Sequence, residues 1–265
     1  MQVALAWNWY PSVCIGVALL VGVYLSVVGP LRSRFSFSEP VPHTRVAWFL
    51  SGALVILFAL VSPLDELGDE YLFSAHMVQH LLLAQIAPPL LLLGTSGWML
   101  RPLLRHPIVA RVARVLTTPF VAFILFNAVF LTWHLPAFYE TTLHNESLHI
   151  FEHLLFMATG VLNWWPILSP LPELPRLSPP GQILYLFLEA VPMTILGALI
   201  VFAPTVLYPT YAAVPRVLGL DALTDQQIAG QVMWTPGGSI YLVALTVVFF
   251  TWLGKEERAE RNESA

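Results

Sequence analysis

The chain has 265 residues, 57% of them apolar and only 11% charged. A soluble domain carries about 25% charged residues, so most of this chain has no water to face and folds in lipid. The formal charge of -4 offers no basic surface to nucleic acid, and the single cysteine, Cys14, excludes an intramolecular disulfide framework or a one-chain thiolate zinc cluster.

The opening residues MQVALAWNWYPSVC contain no Lys or Arg. A cleavable signal peptide needs a basic start, so the first apolar stretch is expected to be a mature helix. Runs of about 20 mostly apolar residues then fall at roughly 10–30, 44–63, 72–94, 117–135, 148–168, 181–204 and 228–253. The expected fold is an all-α, polytopic membrane helix bundle of about seven transmembrane helices: one domain over 1–254, then a charged cytoplasmic tail over 255–265. Pro88 and Pro89 fall inside the third run, Pro192 inside the sixth and Pro236 inside the seventh. Each predicts a break in the backbone ladder of its helix. Thr224 and Gln227 have capping-box spacing at the start of the seventh helix.

Eleven of the twelve basic residues fall on one side of this arrangement, in the segments holding Arg32, Arg34 and Arg45, then Arg101 to Arg114, then Arg176, then Lys255 to Arg261. Only Arg216 lies opposite. That asymmetry predicts an outside N-terminus and a cytoplasmic C-terminus.

Six of the eight histidines then lie on the outer side. His76/His80 open the third run and His149/His153 open the fifth, each pair spaced i, i+4, which stacks two imidazoles on one helix face. Two such helices can offer four nitrogen donors to one ion or ligate a haem. The plain alternative is that histidines favour membrane interfaces, but two pairs at one depth are harder to attribute to that. His134, ending the fourth run, is a further candidate, with an interfacial hydrogen bond as its alternative role, and His144 is a weaker one.

Carboxylates surround these positions. Asp65, Glu66, Asp69 and Glu70 precede the third run, and Glu140 and Glu146 lie between the fourth and fifth, with no basic residue in either segment. An acidic vestibule concentrates cations. Asp65 is the candidate there, whereas Glu66, Asp69 and Glu70 individually read as solvated surface. Glu152 and Glu189 are intramembrane acids, able to orient a histidine ring, to carry a proton, or to sit protonated against a neighbouring helix. Met77 and Met233 lie at the outer depth; thioether with imidazole favours copper, particularly Cu(I), although each alone is more often packing. Cys14 reads as a buried free thiol.

The run His76–His80 (HMVQH) followed by Ala87–Gly94 (APPLLLLG) resembles the hallmark of the membrane-embedded CtaG proteins, assembly factors of bacterial cytochrome c oxidase. The segments Ser62–Asp65 (SPLD), Trp133–Pro136 (WHLP), His149–His153 (HIFEH) and Asp225–Gly238 are similar to further landmarks of that family, in the same order. The resemblance covers nearly the whole chain. It implies a non-enzymatic protein of the bacterial cytoplasmic membrane that matures the oxidase and handles copper for it. Its implied partners are the oxidase subunits, membrane lipid and a soluble periplasmic or extracellular copper chaperone.

Three readings of the residues stand at this point. In the first, His76, His80, His134, His149 and His153, with Asp65, Met77 and Met233, hold copper for transfer. In the second, one histidine from each pair binds haem axially in a b-type cytochrome. The third is a copper or proton-coupled transporter using Glu189, Pro192 and the broken last helix.

Overall fold

Where water is absent, an apolar segment must satisfy its own N–H and C=O groups, so these runs form helices. The computed structural model describes residues 6–35 and 38–263 and is 80% helix, with no strand among the described residues. The principal helices are α1 (Pro11–Val28), α2 (His43–Val61), α3 (Pro63–Glu70), α4 (Phe73–Gly94), α5 (Pro119–Trp133), α6 (Glu146–Leu168), α7 (Pro179–Val201) and α8 (Ala222–Glu263).

Helices occupy all seven apolar runs, and five of them, α1, α2, α4, α7 and α8, are long and apolar enough to cross a membrane. At 15 residues, α5 is short; it joins Pro107–Leu116 at a 73° bend, and the pair together would make a sixth span. α6 has 23 residues but a more polar composition, because Glu152, His153 and Asn163 interrupt its apolar sequence, and all three are buried. The polarity that weakens α6 as a membrane signal is the polarity it delivers to the interior.

The prolines are absorbed in two ways. In α4 a π-helical turn over Leu82–Ile86 precedes Pro88 and Pro89, and in α8 another over Met233–Gly237 contains Pro236. Widening to i→i+5 bonding accommodates a missing donor without ending the helix. α7 instead runs unbroken through Pro192, contrary to the expected interruption. The start of α8 also differs from expectation: Asp221, not Thr224, is the N-cap, and its carboxylate accepts from the backbone N–H of Leu223 and Thr224, both at 3.0 Å. The charged C-terminal residues continue α8 as an exposed helix to Glu263.

Close crossings set the spacing of the bundle. A Cβ on Gly160 of α6 would lie 2.5 Å from the carbonyl oxygen of Ala84 in α4, so this crossing requires glycine. Gly197 and Gly230 face each other between α7 and α8, where a Cβ on either would come within 2.9 Å of the other's carbonyl oxygen. Small residues let backbones approach where lipid supplies no hydrophobic drive for helix association.

Candidate metal centre

α4 and α6 both begin at the end of the bundle opposite the arginine-rich segments, and each places its i, i+4 histidine pair toward the other. His76, His80, His149 and His153 each offer one ring nitrogen, and these four atoms all lie within 4.8 Å of one another. The ring centroids are 4.2 Å apart for His76/His80, 4.3 Å for His149/His153, 5.3 Å for His76/His149 and 5.3 Å for His80/His153. His76 and His80 are buried, as is His153, while His149 is partly open.

The buried rings lack the partners that normally compensate burial. Both nitrogens of His76 and of His80, and Nε2 of His149 and His153, are buried without a hydrogen bond. Such groups are costly unless something occupies the space between them. A cation among four nitrogen lone pairs meets that requirement, so the donor set fits a metal ion.

Local structure explains how the rings are held. Asp225 accepts hydrogen bonds from the N–H of Phe73 at 2.7 Å and of Ser74 at 3.2 Å, and also from the Ser74 hydroxyl, capping the first turn of α4 from a distant part of the chain. Asn145 caps α6 by accepting from the Leu148 N–H at 3.0 Å. Gln79 lies between the histidines of α4 and donates to the Ala59 carbonyl at 3.0 Å and to Asp65 Oδ1 at 2.7 Å, tying α4 to α2 and α3.

A carboxylate expected on the solvated surface, Asp69, instead lies against this centre. Asp69 Oδ1 lies 3.3 Å from His76 Nδ1 and its Oδ2 lies 3.6 Å from His149 Nδ1, near both rings although the His76 approach lacks hydrogen-bond alignment. Gly68 brings it there, since a Cβ at Gly68 would come within 2.9 Å of the His76 backbone and nothing larger lets α3 fold back onto α4. The available signal was the i, i+4 relation of Asp65 and Asp69, which puts both on one face of α3.

A cavity of about 370 Å³ reaches His149 and His153, lined also by Tyr10, Asp65, Asp69 and Glu146. Among the described residues, no Lys or Arg lines it. Burial pushes the Asp65 carboxyl up to about 7, with the neighbouring Asp69 charge adding to the shift. Asp65 is itself buried and accepts from Gln79, and it is not one of the four positions whose ligand atoms converge.

Glu152 is fully buried, with Oε1 3.8 Å from His80 Nε2 and no hydrogen bond to either oxygen. Tyr139 packs against the His76 ring and belongs to an aromatic cluster in which Phe73 meets Tyr139, Tyr208 and Tyr211. Tyr211 donates to the Gly68 carbonyl at 2.7 Å, so Tyr139 is the donor in the 2.9 Å contact between the two hydroxyls. Burial holds both phenols well above their ordinary range, so they remain protonated donors and not anionic ligands.

The other candidates divide. His134 is buried next to the cluster, its ring 6.0 Å from that of His80, and Met77 Sδ lies 3.4 Å from His134 Nε2. Met233 is buried beneath, lining the same small cavity as Met77, His80 and His134. Glu189 lies in a different polar network, accepting from Asn127 Nδ2 at 3.0 Å. His144 is exposed on the Pro136–Leu143 side and donates to the Glu140 carbonyl at 2.6 Å, outside the cluster.

Fold and site together define a helical membrane protein with a buried polyhistidine centre at one end of its bundle. Residues 22–255 match the cytochrome c oxidase caa3 assembly factor family (Caa3_CtaG), and the chain belongs to that family. Among curated proteins it is similar to uncharacterised proteins of Mycobacterium bovis and Mycobacterium tuberculosis, each 28% identical over 94% of this chain, and to one of Mycobacterium leprae, 25% identical over 96%. The chain spans about 40% of the length of those relatives. No solved structure matches it.

Proposed function

We propose that this family member binds copper at the non-cytoplasmic face of the bacterial cytoplasmic membrane and passes it to cytochrome c oxidase during assembly. The observation that carries the reading is the convergence of four imidazoles from two helices, with ligand atoms within 4.8 Å and buried nitrogens lacking other partners. Neutral imidazoles suit copper and zinc alike, and the thioethers of Met77 and Met233 beside them favour copper. The acidic cavity over His149 and His153 supports capture of a cation from the outer aqueous side.

Orientation follows from the same reading. With the arginine-rich segments in the cytoplasm, the helices of all seven apolar runs span, the N-terminus lies outside, and the histidine end faces the compartment where a soluble chaperone would deliver the ion. The role is non-catalytic: metal binding and hand-over to oxidase subunits. The haem alternative needs a flat slot between axial imidazoles, and α4 and α6 meet too closely at Ala84 and Gly160 to favour it.

The test is the metal content of the detergent-purified protein beside a His76→Ala/His80→Ala variant. Copper in the wild type and its loss in the variant support the proposal. Equal copper in both, or a Soret band with stoichiometric iron, overturns it.

A further inference from the structure

Beneath the four-histidine cluster is a second, chemically different space. It is a small enclosed cavity of about 20 Å³, room for one water-sized occupant, and among its lining residues are His80, His134, Met77, Met193 and Met233. Three of these five are thioethers, all of them buried.

One contact inside it calls for an ion. His134 Nδ1 lies 2.7 Å from the Phe130 carbonyl oxygen, which can only accept, so Nδ1 carries the proton of the neutral ring. Nε2 is then left with its lone pair directed at Met77 Sδ, 3.4 Å away, and sulfur has no proton to give. Two lone-pair donors therefore face each other in a buried site whose lining is mostly apolar. A soft cation between them converts that juxtaposition into coordination, and the nitrogen needs no deprotonation to bind. His80, whose two nitrogens are both unpartnered, belongs to the upper cluster and also lines this cavity.

We propose that this chamber is a distinct monovalent copper site, with His134 Nε2 and Met77 Sδ as ligands and Met233 as the third donor, and that His80 carries the ion between it and the four-histidine cluster. The inference rests on the copper reading above and deepens it. The step is ligand exchange alone: a bond from Cu(I) to an upper imidazole breaks as a bond to Met77 sulfur or His134 nitrogen forms, and no electron moves. Thioether sulfur selects Cu(I) over harder divalent ions, so the chamber accepts copper already reduced and excludes Zn(II). The upper cluster, all nitrogen, binds either.

Ag(I), a redox-inert stand-in for Cu(I), and Zn(II) separate the two sites in the detergent-purified full-length protein. Met77→Leu/Met233→Leu is expected to lose about one equivalent of Ag(I) and to keep Zn(II) binding, since Met to Leu conserves core volume. Unchanged Ag(I) stoichiometry and affinity in that variant overturn the chamber. X-ray absorption on Cu(I)-loaded wild type needs no variant: a sulfur scattering shell supports the proposal, and purely nitrogen coordination overturns it. Failure of the four-histidine reading registers separately, as Zn(II) binding that survives His149→Ala/His153→Ala.

Discussion

The carboxylate of Asp225 accepts a hydrogen bond from the backbone N–H of Phe73 at 2.7 Å, joining residues 152 positions apart in the chain. Through it the start of α8 supplies the N-cap that α4 does not carry in its own sequence, because Leu72 precedes the first turn and has no acceptor to offer. His76 and His80 stand on the helix so fixed. Asp225→Ala leaves two backbone N–H groups and the Ser74 hydroxyl without their acceptor, and a buried donor left unpaired costs about 1–3 kcal/mol. The variant is expected to unfold at a lower temperature in detergent and to bind metal more weakly. Wild-type values of both would show that the cap does not position the histidines.

The second prediction concerns the distance between the two histidine-bearing helices. Gly160→Ala puts a methyl group where only 2.5 Å separates it from the Ala84 carbonyl oxygen, and the obstacle is backbone rather than a movable side chain. Overpacking of this kind costs about 1–3 kcal/mol or more. The strain is relieved by α6 moving away from α4, so metal affinity is expected to fall along with stability. Gly16→Ala, on α1 with open space around the added methyl, is the control: metal affinity should hold and stability should not fall, since Ala is the better helix former.

How much of this was legible beforehand depends on the range of the interactions. Apolar runs and i, i+4 histidine pairs are local patterns, and helices occur where the runs lie, with both pairs meeting at one end. The i, i+4 spacing puts Asp69 on the same face of α3 as Asp65, but its closeness to His76 was not legible, because that depends on Gly68 letting α3 lie against the α4 backbone. Asp225 as the cap of α4 is hidden for the same reason. The Thr224–Gln227 spacing pointed to a cap, but Asp221 three residues earlier holds it with two backbone hydrogen bonds. Pro192 did not break α7, while Pro88 and Pro236 are absorbed by π-helical turns that the sequence marks only as trouble.

The third prediction follows from Asp65. Its carboxyl titrates at about 7 in the folded protein, chiefly because it is buried and then because Asp69 is near, against 3.8 for an ordinary aspartate. Between those values the folded state binds a proton that the unfolded state has lost, so this residue's stabilising contribution is fully present below about 4 and is lost as pH rises through about 7. The thermal midpoint of the metal-free protein is expected to decline over that window on account of Asp65. In Asp65→Asn, which cannot ionise, this component of the decline disappears. A variant whose midpoint tracks the wild type at every pH would remove Asp65 as a source of the dependence.

Asp69 provides the last test, because it can act on metal binding without carrying much of the fold. Its side chain is 30% exposed, and its two oxygens lie 3.3 Å from His76 Nδ1 and 3.6 Å from His149 Nδ1, one histidine from each helix. A carboxylate facing Nδ1 favours the tautomer whose proton is on that nitrogen, which leaves Nε2 bare for the ion and raises its basicity. Loss of such a partner typically costs about 10–100-fold in metal affinity. Asp69→Asn keeps the shape and removes the charge, so affinity is expected to drop within that range while the unfolding temperature of the metal-free protein changes little. Capture should also lose part of its dependence on ionic strength, since this carboxylate contributes to the field at the cavity mouth. Competition titrations against a chelator at low and high salt measure both effects. Unaltered affinity with unaltered salt dependence would leave Asp69 as a surface carboxylate that merely lies near two imidazoles.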